Sequence, residues 1–270
     1  AETVARYRIG DLIQREAGRT TLVGDWAGRA TNFPIDGGIA TARLDDGGNC
    51  FNLNSLVDRQ QDGTLTTRPA AIEQFARLLV LGEVIPRDAL QVAAATADWI
   101  DSDSVPNPGG AEDVVYTSLT PARRTAATLL TDRSELRAVA GVTPALYTRV
   151  ASLVCVLPTT APTAINVNTL RPTQAALLAM LLPSLDIARA GAAIGQRPLG
   201  GWENVNAFWS LPQLAGSASD AGRSQVGIAT RWFDLSLTIA LAGAELESQV
   251  LIDAEKKPAM VVRRSYGEAS

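Results

Sequence analysis

The sequence predicts an α+β fold in which a sheet-forming domain is interrupted by a large inserted α-helical domain. Apolar residues at helical spacing open the chain; strand-like stretches occupy 38–57 and return with a period of two beyond residue 231. Between them, from about 68 to 211, the spacing is helical almost throughout, and this order of elements is that of an interrupted domain. The expected division is 1–64 for the first part of the α/β domain, 65–219 for the insertion and 220–270 for the second part.

In chain order, Val4, Tyr7, Ile9, Leu12 and Ile13 approximate one face of a helix, read as the end of a helix whose beginning is absent. Residues 24–38, rich in Gly, Asn, Asp and Pro, predict a loop. The run "GIATARLDDGGNCFNLNSLV" predicts two strands joined by a turn at Asp46-Gly47-Gly48, and 58–64 a polar loop. A helix is expected from Arg68-Pro69, with Ile72, Phe75, Leu78, Leu79 and Leu81 on one face, and a second over 87–100 after Pro86. Residues 101–113 predict a loop, and 123–130 resume helical spacing. "SELRAVAGVTPALYTRVASLV" reads as helix, turn, helix, with Ser134 as N-cap. The proline-bounded run 155–170 is extended, and helices are expected over 172–182, 185–196 and 205–211. Residues 215–224 predict a flexible loop. Finally Trp232, Asp234, Ser236 and Thr238 alternate with Phe233, Leu235, Leu237 and Ile239, opening a meander continued by "AELESQVLIDA" and "AMVVRRSYG".

Composition removes several function classes. The 270 residues are 46% hydrophobic and 19% charged, enough apolar material for one large core or two smaller ones. No histidine is present, which excludes imidazole bases, histidine-ligated metals and histidine pH switches. No GxSxG, SxxK, GxGxxG or P-loop pattern occurs, so an enzyme is not expected. The net charge of −4 argues against a polyphosphate partner. No apolar run approaches the roughly 20 residues needed to cross a bilayer. Cys50 and Cys155 lack CxxC spacing and are either one disulfide or two buried thiols. The tryptophans at 99, 202, 209 and 232 sit in apolar or strand context, where packing is the default.

Two clusters carry chemistry. "DWIDSDSVPNPGGAEDVVY" crowds Asp98, Asp101, Asp103, Glu112 and Asp113 into a Pro- and Gly-punctuated stretch. It is either a site for a hard, oxygen-seeking cation such as calcium or an ordinary solvated acidic loop, and it is not an EF-hand. A glycosidase-type carboxylate pair is a third option that needs a separation in space. The segment "NVNTLRPTQAALLAMLLPSLDIARAGAAIGQR" resembles the helix-hairpin-helix repeats of DNA-binding competence proteins. Its hairpin, Leu182-Pro183-Ser184-Leu185, lacks the glycines that let amides approach a phosphate, and "AVAGVTPALY" has Thr143 at the second such position. Hairpins used for helix packing are the plainer reading.

"ADWIDSDSVPNPGGAEDVVY", "SELRAVAGVTPALYTRV" and "LPTTAPTAINVNTL", preceded by "FNLNSLV", together resemble the minor pseudopilin K family of type II secretion over roughly residues 44–240. The resemblance implies a pilin-like helix packed on an antiparallel sheet, split by an insertion with helix-hairpin-helix-like (SAM-like) units. Asn52, Asn54, Asn166 and Asn168, in two NxN segments bordering the insertion (the second at 165–169), would satisfy loop backbone. Cys50 and Cys155 could then pair and close a loop of about 105 residues. It implies calcium, with Asp98, Asp101, Asp103, Glu112 and Asp113 as ligands. It further implies a pseudopilus-tip subunit on the periplasmic face of the inner membrane. Minor pseudopilins I and J, and H through the tip complex, would be its partners, with secreted exoproteins as a further contact. The membrane would be reached through an N-terminal helix that this chain lacks. The alternative function is a DNA-binding protein of a competence-like pilus; a calcium-dependent hydrolase is a third.

Overall fold

The computed structural model describes all residues except 1, 2, 4, 6, 8, 12–17, 25, 217–219, 242, 256 and 268–270. Thr3, Ala5, Tyr7, Ile9, Gly10 and Asp11 are helical and are labelled α1. Ala5 and Ile9, four apart, are buried, whereas Tyr7 between them is exposed, so one face of α1 is covered. The expected helix positions Val4, Leu12 and Ile13 lie outside the described residues.

The partner of α1 is a five-stranded antiparallel sheet in the order β1-β2-β9-β10-β11. Its strands are Ala30–Ile35, Gly38–Asp46, Trp232–Leu241, Ala244–Asp253 and Met260–Tyr266. Phe233, Leu235, Leu237, Val250 and Ile252 alternate toward Ala5 and Ile9, the arrangement the period of two requires. Two expectations change here. β1 falls where a loop was expected; it is an edge strand pairing from Ala30↔Arg43 to Ile35↔Gly38, so Pro34 can sit within it. The turn at 46–48 does not join a hairpin. It carries the chain off the sheet, because β3 (Phe51–Asn52) pairs in parallel with β6 (Val154–Cys155).

The helical part has its own core. It includes Phe51, Phe75, Leu78, Ile100, Tyr116, Leu177 and Phe208, and it runs from Phe51 to Val226, past both ends of the expected 65–219. β4 (Val57–Arg59) and β5 (Leu65–Thr67) form a small hairpin around the polar stretch 58–64. α2 (Pro69–Leu81) and α3 (Pro86–Ile100) each begin with proline, whose fixed φ suits the first turn and whose missing N–H is not needed there. α4 is Asp113–Thr117.

The helix expected over 123–130 does not form. Its backbone donors are taken from outside: the Ala126 and Ala127 N–H groups reach the Trp99 carbonyl, Thr125 reaches Asp113, and Leu130 reaches Asn54. Helical spacing of apolar residues there reflects contact with the core, not i to i−4 bonding. The 3-10 turn Arg133–Ala138 is capped by Asp132, reciprocated by Glu135, where Ser134 was expected. Beyond it lie α5 (Pro144–Val150), β7 (Ile165–Asn166), a 3-10 turn (Pro172–Gln174) and α6 (Ala175–Leu181). α7 (Ile187–Gly195), α8 (Val205–Trp209), α9 (Asp220–Ser224, inside the expected flexible loop) and β8 (Val226–Gly227) complete the chain up to β9. β7 and β8 pair in parallel. No helix among the described residues is long and apolar enough to cross a membrane.

Candidate functional site

The acidic stretch folds into a compact centre at the end of α3. Asp98 is held first: its Oδ1 accepts from the Asn107 N–H (3.1 Å) and Nδ2 (2.6 Å), and its Oδ2 from the Ala111 N–H (2.7 Å). That grip needs Gly110, because a Cβ there would lie 1.9 Å from Asp98 Oδ2. Asp98, Asp101 and Glu112, all buried, each offer an oxygen within 4.8 Å of the others. Asp101 Oδ1 and Glu112 Oε1 have no hydrogen-bond partner. Burial, followed by the charges of Asp103 and Glu112, pushes the Asp101 carboxyl up to about 8. Burial and then Asp98 push Glu112 up to about 7, and burial raises Asp98. Buried acids close together, with lone pairs unspent, offer the kind of oxygen donors that a hard divalent cation takes.

The other two expected ligands do not join this set of three, although the charge of Asp103 is felt by it. Asp103 accepts from the Val105 N–H at 2.8 Å and closes a local turn. Asp113, the first residue of α4, faces the other way: it takes the Thr125 N–H (2.8 Å) and hydroxyl (3.1 Å) and pairs with Arg124 at 3.3 Å. Those donors hold its carboxyl below the usual carboxylate range. Adjacent residues at an extended N-cap and a helix start point to different sides, which spacing alone did not reveal.

The two NxN segments form one device built twice. In the first, Asn52 Oδ1 accepts from the Asn54 N–H (3.2 Å), and Asn54 holds the backbone of Leu130 by both groups. The Leu130 N–H donates to Asn54 Oδ1 (2.8 Å), and Asn54 Nδ2 donates to the Leu130 carbonyl (3.0 Å). In the second, Asn166 Oδ1 accepts from the Asn168 N–H (2.9 Å), and Asn168 holds Trp202 in the same way at 2.7 and 3.0 Å. A hydroxyl then bonds back to the first asparagine's carbonyl, Ser55 to Asn52 and Thr169 to Asn166. Arg-Pro and a helical turn follow each, at Arg68-Pro69 and Arg171-Pro172.

Gly201 is required beside the second clasp: its φ is +73° and a Cβ would sit 2.8 Å from Asn168 Cγ. A third clasp joins the two segments. Asn49 takes the Asn166 N–H (2.8 Å) and donates to its carbonyl (3.2 Å). Sequence reasoning missed Asn49, although it stands next to Cys50 and three residues before Asn52. Cys50 and Cys155 form a disulfide across β3 and β6, with Cα atoms 5.7 Å apart.

The helix-hairpin-helix reading fares differently. In the 182–185 hairpin the Leu182 and Leu185 N–H groups bond to Ala179 and Leu182. The carbonyls of Ala179, Leu182 and Leu185 are capped by Arg77 from α2, at 2.9–3.0 Å. In the other, Val142 bonds to Val139 and Leu146 to the Thr143 hydroxyl. These amides serve packing. Trp99 meets Tyr116 edge-on, and Trp202 and Trp209 flank Phe208, all within the core, so none offers a base a face to stack on.

The chain has counterparts among known families. Family models described as "Type II secretion system (T2SS), protein K" match residues 49–159 and 165–229, beginning at Asn49 and at Ile165, where the two asparagine segments begin. The chain belongs to the type II secretion system protein K family. The protein K of Pectobacterium carotovorum subsp. carotovorum is 34% identical over 277 residues, covering 99% of this chain and 82% of that protein. The Klebsiella pneumoniae protein K is 35% identical with the same coverage. Among solved structures, a chain of the GspK-GspI-GspJ complex from enterotoxigenic Escherichia coli superimposes with a TM-score of 0.86 and 29% identity. That match covers 99% of this chain and 93% of the other. The mixed fold with its antiparallel sheet is thus that of a protein K.

Proposed function

We propose that this chain is a structural minor pseudopilin at the tip of the type II secretion pseudopilus, assembling with minor pseudopilins I and J and initiating and capping the fibre. The observation that carries this reading is the likeness, over almost the whole of both chains, to a protein solved in complex with GspI and GspJ. In this reading α1 and the sheet are the pilin-like part, on the periplasmic face of the inner membrane, and the helical unit is the bulky insertion that blocks further addition. Minor pseudopilin H would join through the tip complex, and secreted exoproteins are a further contact. In size-exclusion chromatography with light scattering, this chain is expected to co-elute with the soluble domains of I and J as a stoichiometric complex. Separate elution at micromolar concentrations would count against the tip assignment.

Asp98, Asp101 and Glu112 are proposed to hold a structural calcium ion. The support is the two buried, unpartnered carboxylate oxygens. A bound cation offsets the repulsion among the three acids and so stabilises the fold by mass action. Calcium at about 100 times its Kd is expected to stabilise the protein by about 2.7 kcal/mol, and a chelator to remove this. Asp101→Asn should abolish the calcium response in a thermal melt; an unchanged response in that variant would rule out this ligand set.

A further inference from the structure

We infer that the cation at Asp98, Asp101 and Glu112 also governs how residues 118–132 fasten the helical unit to the sheet; the inference rests on the cation reading above. This stretch contains no helix or strand, and its fastenings lead to the acidic centre at one end. Trp99, between Asp98 and Asp101, supplies the carbonyl that receives the Ala126 N–H (3.1 Å) and the Ala127 N–H (3.2 Å). Asp113, next to Glu112, holds Thr125 by its N–H and hydroxyl. The inner half of the strap is therefore hung on residues adjacent in sequence to the three acids. The outer half is hung elsewhere: Asn54 clasps Leu130, and Arg263 of β11 donates to the Thr131 carbonyl at 3.0 Å and to Val156 at 2.8 Å.

Ala127 sits at φ +46°, a conformation costly for a residue with a Cβ, which persists only where the surroundings over-determine it. The Trp99 carbonyl, in the last turn of α3 two residues before Asp101, receives the Ala127 N–H, and the Asp113 carboxyl, one residue after Glu112, holds Thr125 two residues earlier in the strap. When the acids are drawn onto one cation, both anchors are fixed and the strap presents Thr131 to Arg263. When the cation leaves, nothing draws the three buried carboxyls onto one point and both anchors shift, so the contact with the sheet edge loosens.

The test is hydrogen–deuterium exchange of this chain with calcium and with a chelator, alongside calorimetric titration of calcium. Amides whose opening requires the cation to leave should exchange about a hundredfold more slowly at about 100 times Kd. The expected protection covers 97–113 and also 118–132, and reaches β11 through Arg263. In Asp113→Ala, calcium binding should persist within a few-fold, with protection kept at 97–113 and lost at 118–132. Arg263→Gln is the second variant: the strap stays protected by calcium, and the calcium effect on β11 disappears. Protection confined to 97–113 in the unsubstituted chain would overturn the strap coupling and leave the cation site standing. Absence of any calcium heat or protection would overturn both.

Discussion

Asn54→Ala is expected to destabilise the protein by about 3–6 kcal/mol, read as a fall in the urea midpoint with an unchanged slope. Asn54 is fully buried, and its side chain satisfies the Leu130 N–H, the Leu130 carbonyl and the Leu157 carbonyl, at 2.8, 3.0 and 2.9 Å. Alanine leaves these three backbone groups with no water to replace the amide, at about 1–2 kcal/mol each. Asn54→Asp is nearly isosteric and separates packing from polarity. Its ionised carboxylate can still accept from Leu130 but points an oxygen at two carbonyls. Burial raises the folded-state pKa of the introduced carboxyl above its unfolded value. The stability of that variant should therefore be greatest below about pH 4 and fall as pH rises through the folded pKa. Asn204→Ala is the control: this exposed asparagine only caps α8, through the Ala207 N–H, and about 1 kcal/mol is expected. A loss under 1 kcal/mol for Asn54→Ala would mean that the clasp is not what holds Leu130.

The asparagines also mark how far sequence reasoning reaches. That Asn52, Asn54, Asn166 and Asn168 would serve backbone groups follows from an amide that both donates and accepts. Which groups does not, since Leu130 is 76 residues from Asn54 and Trp202 is 34 from Asn168. α2, α3 and β9 were legible because proline at the first turn, or strict alternation, fixes one face against a core. β1 was not legible, because an edge strand half-exposed on both faces shows no hydrophobic pattern. The stretch 123–130 misled for the opposite reason. Its apolar spacing is real, but its N–H groups go to Trp99, Asp113 and Asn54, so periodicity there records burial without a helix. At the acidic centre the density of carboxylates was readable. The difference between Glu112, turned inward, and Asp113, turned to Thr125, depends on the extended backbone at the start of α4.

Reduction of the Cys50–Cys155 disulfide is expected to cost about 4–5 kcal/mol, because the bond closes a loop of sequence separation 105. Asn52 and Asn54 hold the same two segments together through the N–H and carbonyl of Leu157, so the native contacts across β3 and β6 do not depend on the sulfurs alone. The loss therefore falls on the unfolded chain, which gains the conformations the crosslink denied it. This has a consequence that separates it from the asparagine variants. Reduced protein should show a lower urea midpoint together with a larger m value, since the uncrosslinked unfolded chain exposes more surface. Asn54→Ala should lower the midpoint alone. Both cysteines line a polar cavity of about 370 Å³, and the reduced state is best prepared by unfolding in a phosphine reductant and refolding with the thiols kept reduced. Cys50→Ser combined with Cys155→Ser should reproduce the reduced protein in both midpoint and slope. A reduced protein whose midpoint falls with no change in slope would mean that the disulfide acts in the folded state, by holding β3 against β6, and not through the loop it closes.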